Sequence, residues 1–178
     1  AVCGMVGEIA VLAERLEYQP AKDPLTGLLN SSAVYDDYFD DVAGVDARDG
    51  PLSLVMFEID RFGEFRRMFG REVTDRLLVE VGDLVRSAMG AETIAARMSG
   101  GTFLMVMPGA SREEVAGFCG AFRRRVEEIE LGPLQKGSVT ASFGISRRGP
   151  DTPVAEAIHR ADMALYQAKD TGRSVVGG

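Results

Sequence analysis

The chain has 178 residues, 46% of them hydrophobic and 26% charged, with a net charge of −7. That length suits one domain with a full core, and the acidic balance excludes a broad nucleic-acid or anionic-membrane surface, which needs a basic face. No apolar run reaches a membrane span and no secretory leader is visible, so a cytoplasmic setting is expected, with the distant Cys3 and Cys119 as reduced thiols.

In chain order, Val2, Met5, Ile9, Leu12 and Leu16 recur at steps of three and four before Pro20. This is about two heptads of a seam. Residues 1–20 therefore read either as a helix packed on its own domain or as the end of a dimerising stalk, and a homodimer is expected from the second. Asp23-Pro24 marks a turn, and Asn30 or Ser31 can cap a helix carrying Val34, Tyr38 and Val42. The run Leu52 to Ile59 is nearly all apolar, which predicts a strand buried on both faces. A long helix follows, with Phe62, Phe65, Phe69, Leu77, Leu78, Val81, Leu84 and Val85 inward. Two apolar strands then fold about Ser99-Gly100-Gly101, where positive φ costs little.

Ser111 and Glu114 form a capping box ahead of the next helix. A strand over Gly137 to Arg148, a helix closed by Gly172 and a short strand near Val175 complete the chain. The order predicts an α/β sandwich: a mostly antiparallel sheet of about five strands flanked by helices.

Few residues invite chemistry. Glu58 and Asp60 stand two apart at a strand end, so alternation puts both carboxylates on one side. Such a pair suits a hard cation that keeps its waters and meets a phosphate, although strand-end charges are commonly just solvated. Lys169 and Arg173 lie four apart at a helix end, where they can share one anion or simply offset the helix dipole. His159 stands alone and reads as a helix-surface residue, and Arg123-Arg124-Arg125 as a solvated face.

Taken together, "DPLTGLLN", "FEIDRF", "ARMSGGTFLMVMPG", "VTASFGIS" and "ADMALYQAKDTGRSVV" resemble the GGDEF, or diguanylate cyclase, family in order and spacing. The likeness covers residues 23–176 and assigns a GGDEF-like domain to 21–178. It implies a palm-like fold related to nucleotidyl cyclases; active members condense two GTP into cyclic di-GMP with magnesium across a dimer.

Arg97 and Phe103 match the family's hairpin without a gap, which places Ser99, Gly100, Gly101, Thr102 and Phe103 on the five signature positions. Both acidic positions are lost, at Gly101 and Thr102. Glu58 replaces the family's strand-end aspartate as a metal ligand, with the Ile59 carbonyl beside it and Asp60 nearby. Gly63 stands for a phosphate-contacting lysine, and Arg66 for a guanine-reading asparagine that it cannot mimic, having no acceptor. Asp75 keeps the second guanine contact, and Lys169 and Arg173 keep the phosphate contacts. The product-inhibition motif, Arg-x-x-Asp, falls on Gly90, Ala91, Glu92 and Thr93 and is absent.

The resemblance thus implies a degenerate member: weak magnesium binding at best, and a regulatory, dimerising or nucleotide-sensing role with GTP or cyclic di-GMP as possible ligands and an attached sensor or output domain. A low-activity cyclase and a cyclic di-GMP receptor are the alternatives.

Overall fold

The nearly all-apolar run Leu52–Ile59 becomes the middle of the sheet. In the computed structural model, which describes residues 22–35, 51–172 and 175–177, strand β2 (Leu52–Ile59) is flanked on both sides by antiparallel neighbours. The first heptads, Cys3, Tyr38, Val42 and Arg173 lie outside the described residues. The remaining strands are β1 (Leu29–Asn30), β3 (Ile94–Ser99), β4 (Thr102–Pro108), β5 (Ala141–Arg148) and β6 (Val175–Gly177), in the spatial order β1-β3-β4-β2-β5-β6. The four inner strands are antiparallel; only the short edges β1 and β6 run parallel to their neighbours. The expected helix-flanked, mostly antiparallel sheet is therefore present, with two-residue β1 as an additional edge.

Alternation along β2 sorts the core into two layers. Val55, Phe57 and Ile59 face helices α2 (Phe62–Ala88) and α3 (Arg112–Glu127). Leu52, Leu54 and Met56 face α1 (Ser31–Tyr35) and α4 (Val154–Asp170). Phe57 anchors the first layer: its ring stacks on Phe103 at 5.0 Å between centroids and meets Phe122 at 5.1 Å and Phe143 at 5.6 Å. Burying a side chain of this size stabilises the fold by about 1.5–3 kcal/mol. Cys119 is buried in the same layer, and burial pushes its thiol up to about 12, so it is protonated and inert.

Local signals mostly behave as the sequence predicts. The Asn30 side chain accepts from the Ala33 amide at 3.0 Å, which settles the first cap on Asn30. Ser111 and Glu114 close their capping box in both directions. The long helix departs from expectation: α2 is broken at Gly70, whose φ of 80° and ψ of 179° are not helical. The apolar spacing runs on through the break, which hides it from a periodicity argument.

Gly144 fixes the position of α4. A Cβ there would lie 2.1 Å from the Leu165 nitrogen and 2.2 Å from the Ala161 oxygen, so α4 rests directly on the β5 backbone. Among the described residues, no helix is long and apolar enough to cross a membrane.

Candidate functional site

The β3–β4 hairpin delivers its tip to the end of β2. Gly100 takes the positive φ, 49°, that the turn requires, and the Gly101 carbonyl accepts from the Ile59 amide at 3.0 Å. Glu58 stands in register with Thr102 on one side and Ser142 on the other. The strand-end acid, the Ile59 backbone and the signature residues therefore do meet.

Their side chains are already engaged. Lys169, carried in by the last turn of α4, donates from Nζ to Glu58 Oε1 at 2.7 Å. Asp60 accepts from Thr140 Oγ1 at 2.6 Å and from Ser142 Oγ at 2.7 Å, one hydroxyl on each carboxylate oxygen. Glu58 and Asp60 border two neighbouring hollows, with Lys169 bonded to the first and lining the hollow of the second. Glu58 joins Ser99, Thr102, His159 and Asp162 around a cleft of about 510 Å³. Asp60 lines another of about 450 Å³ with Arg61 and Lys169.

The glycines at 101 and 63 leave different amounts of room for a side chain. A Cβ on Gly101 would fall 2.8 Å from Phe62 Cγ and 3.0 Å from Phe62 Cβ, so the Phe62 side chain occupies the space of a residue 101 side chain. A Cβ on Gly63 would meet nothing within 4 Å.

Asp75 and Arg66 lie on opposite sides of the Gly70 break, and Asp75 is bound on its own helix by Arg71 Nε at 3.2 Å. Arg66 is exposed. A magnesium ion takes near-octahedral oxygen ligation and keeps waters and phosphate oxygens among its ligands. Of the residues expected to meet it, Glu58 is bonded to Lys169 and Asp60 to two hydroxyls, Gly101 and Thr102 supply no carboxylate, and no group of three or more His, Cys, Asp or Glu side chains converges among the described residues.

Sequence reasoning treated Asp23 only as a turn residue, yet it is the hairpin's anchor. Arg97 Nη1 donates to Asp23 Oδ1 at 3.0 Å while its Nε donates to the Gly100 carbonyl at 3.0 Å. The other Asp23 oxygen accepts from the Thr26 amide at 2.8 Å and hydroxyl at 2.7 Å. Burial pushes the Asp23 carboxyl up, but the Thr26 hydrogen bonds and the Arg97 charge outweigh it and hold the group below its ordinary value. The Asp-x-x-Thr spacing was the available signal, since an aspartate three residues before a threonine closes this kind of turn on itself.

A sheet of this topology with a glycine hairpin closing onto the central strand is a palm-like nucleotidyl-cyclase fold. The chain belongs to the diguanylate cyclase GGDEF domain family, which it matches over residues 21–175. It is 33% identical over 168 residues to an "Uncharacterized signaling protein" of Caulobacter vibrioides, covering 91% of this chain and 20% of that protein. It is 30% identical over 174 residues to diguanylate cyclase VdcA of Vibrio cholerae, covering 91% of this chain and 50% of the other. The chain thus spans half or less of the length of these two relatives.

The structure of the coiled coil and GGDEF domain of DgcB from Caulobacter crescentus, in complex with c-di-GMP, superposes with a TM-score of 0.82 at 27% identity, covering 99% of this chain and 97% of the other. The GGDEF domain of the same protein, also with c-di-GMP, gives a TM-score of 0.79 at 27% identity, covering 89% and 95%.

Proposed function

We propose that this chain is a non-catalytic GGDEF domain that serves as a regulatory module in cyclic di-GMP signalling. The hairpin tip carries the reading: no carboxylate stands at Gly101 or Thr102, and Phe62 fills the space that a side chain at 101 would need. Removing one well-placed electrostatic contact costs a transition state about 3 kcal/mol, so losing two slows turnover by several orders of magnitude. The pairing of Lys169 with Glu58 and of Asp75 with Arg71 supports the same reading, because the inherited nucleotide contacts now serve the fold.

Association of two copies through residues 1–20 is part of the proposal. Its support is the heptad spacing there and the coiled coil that precedes the related domain of DgcB. A cytoplasmic location fits a domain that would read an intracellular nucleotide signal.

The test is chromatographic detection of cyclic di-GMP after incubation with GTP and either magnesium or manganese, with dimerisation also enforced by a fused zipper. No product is expected in any arm. Product formed at a rate abolished by Glu58→Ala would establish a working cyclase instead. Sedimentation of the chain with and without residues 1–20 tests association, and a monomer in both forms would remove the stalk.

A further inference from the structure

A third concavity, of about 600 Å³, lies against β5, β6 and α4, with Arg112 reaching it from the start of α3. None of its described lining residues belongs to the hairpin or the β2 end, while His159 also borders the Glu58 cleft and Gln167 shares the last turn of α4 with Lys169. Arg112, Arg147, Arg160 and His159 line it, and among the described residues no carboxylate does. In a chain of net charge −7 this is an unusual local balance. Arg160 is paired with Glu156 one turn back on α4. The side chains of Arg112 and Arg147 make no hydrogen bond or ion pair among the described residues. Guanidiniums gathered without a counter-charge repel one another, and a bound anion relieves that repulsion while receiving forked hydrogen bonds.

The rest of the lining is suited to more than a bare anion. Arg160, Met163, Ala164 and Gln167 recur at helical spacing along one face of α4, and Ile145 lies opposite on β5. Met163 is 46% exposed, a polarisable apolar surface of the sort on which a flat ring packs. Gln167 adds an amide able to donate and accept toward a base edge. The volume falls within the ordinary range for small-ligand sites.

We infer that this β5–α4 cleft binds a nucleoside phosphate, with Arg112 and Arg147 on the phosphate, Met163 against the base and Gln167 at its edge. The site is separate from the signature hairpin and does not depend on whether the hairpin is catalytic.

Titration calorimetry of the full chain with GTP, with cyclic di-GMP and with inorganic phosphate tests the assignment. At least one nucleotide should bind, and bind more tightly than phosphate. The double variant Arg112→Gln/Arg147→Gln should weaken it by tenfold or more, Met163→Ala should weaken nucleotide but not phosphate, and Lys169→Ala should change neither. Circular dichroism melts of each variant check that the fold is kept, and the single variants Arg112→Gln and Arg147→Gln replace the double one if it melts early. Four results would overturn the inference: no nucleotide binding at millimolar concentration, phosphate binding as tightly as nucleotide, binding unaffected by the arginine substitutions, or binding lost with Lys169→Ala.

Discussion

The hairpin end of the sheet and the β5–α4 cleft use charge in opposite ways. At the hairpin end Arg97 meets Asp23, Lys169 meets Glu58, Asp75 meets Arg71, and Asp60 is held by two hydroxyls. In the cleft, Arg112 and Arg147 have no such partner among the described residues. Groups once suited to a ligand become structural when the chain supplies its own counter-charges, and ligand-ready groups are those the fold leaves unanswered.

The largest effect that separates the two regions should come from the anchor. Asp23→Ala leaves Arg97, whose side chain is only 17% exposed, without its partner, and should cost about 3 kcal/mol in a urea titration. Arg112→Gln in the cleft should stay within about 0.5 kcal/mol of the parent. Equal losses from the two would erase the distinction.

Next in size are the two vacated family positions. Gly101→Asp must displace Phe62 and should destabilise by about 1–3 kcal/mol, with partial recovery in the Phe62→Leu background. Gly63→Lys enters open space in the first turn of α2 and should be neutral or stabilising by up to about 1 kcal/mol. A well-tolerated Gly101→Asp would mean that Phe62 is a loose cover. In that case simple reversion of the hairpin is enough to rebuild a metal site.

Acid should reveal the anchor as well. The Asp23 carboxyl titrates below its ordinary 3.8 in the folded chain, so its contribution is complete above that value and is lost as pH falls through the lower folded value. Thermal melts from about pH 5 to about pH 2 should therefore show the parent losing its advantage over Asp23→Asn only at the acid end. A gap between parent and variant that stays constant over that range would remove Asp23 as the titrating group. The smallest effect belongs to Glu58→Gln: its pair with Lys169 is partly exposed, and melting should register less than about 1 kcal/mol.

Much of this was readable before any coordinates. The run Leu52–Ile59 specified a central strand, and the Ser111–Glu114 spacing specified a helix start, because each is a local pattern with a local cause. The two-residue strand Leu29–Asn30 was not readable, since it is too short for any period and exists only through pairing with Ala96 and Arg97. The break at Gly70 was masked by hydrophobic spacing that continues across it. In the site, the loss of both hairpin acids was plain from the residues themselves. The contact of Phe62 with Gly101 and the bond from Arg97 to Asp23 were not, because each joins segments far apart in the chain.

The bare strand at Gly144 has a mechanical consequence. With backbone seated on backbone at Ala161 and Leu165, α4 meets β5 at this point with no side chain between them to yield. It is a clamped beam, carrying Arg160 toward one end and Lys169 at the other, about 14 Å apart at 1.5 Å per residue. A load on one end cannot be absorbed by local repacking and must be passed to the other end or to the whole sheet. Gly144→Ala would pry the beam off its support and loosen both ends together.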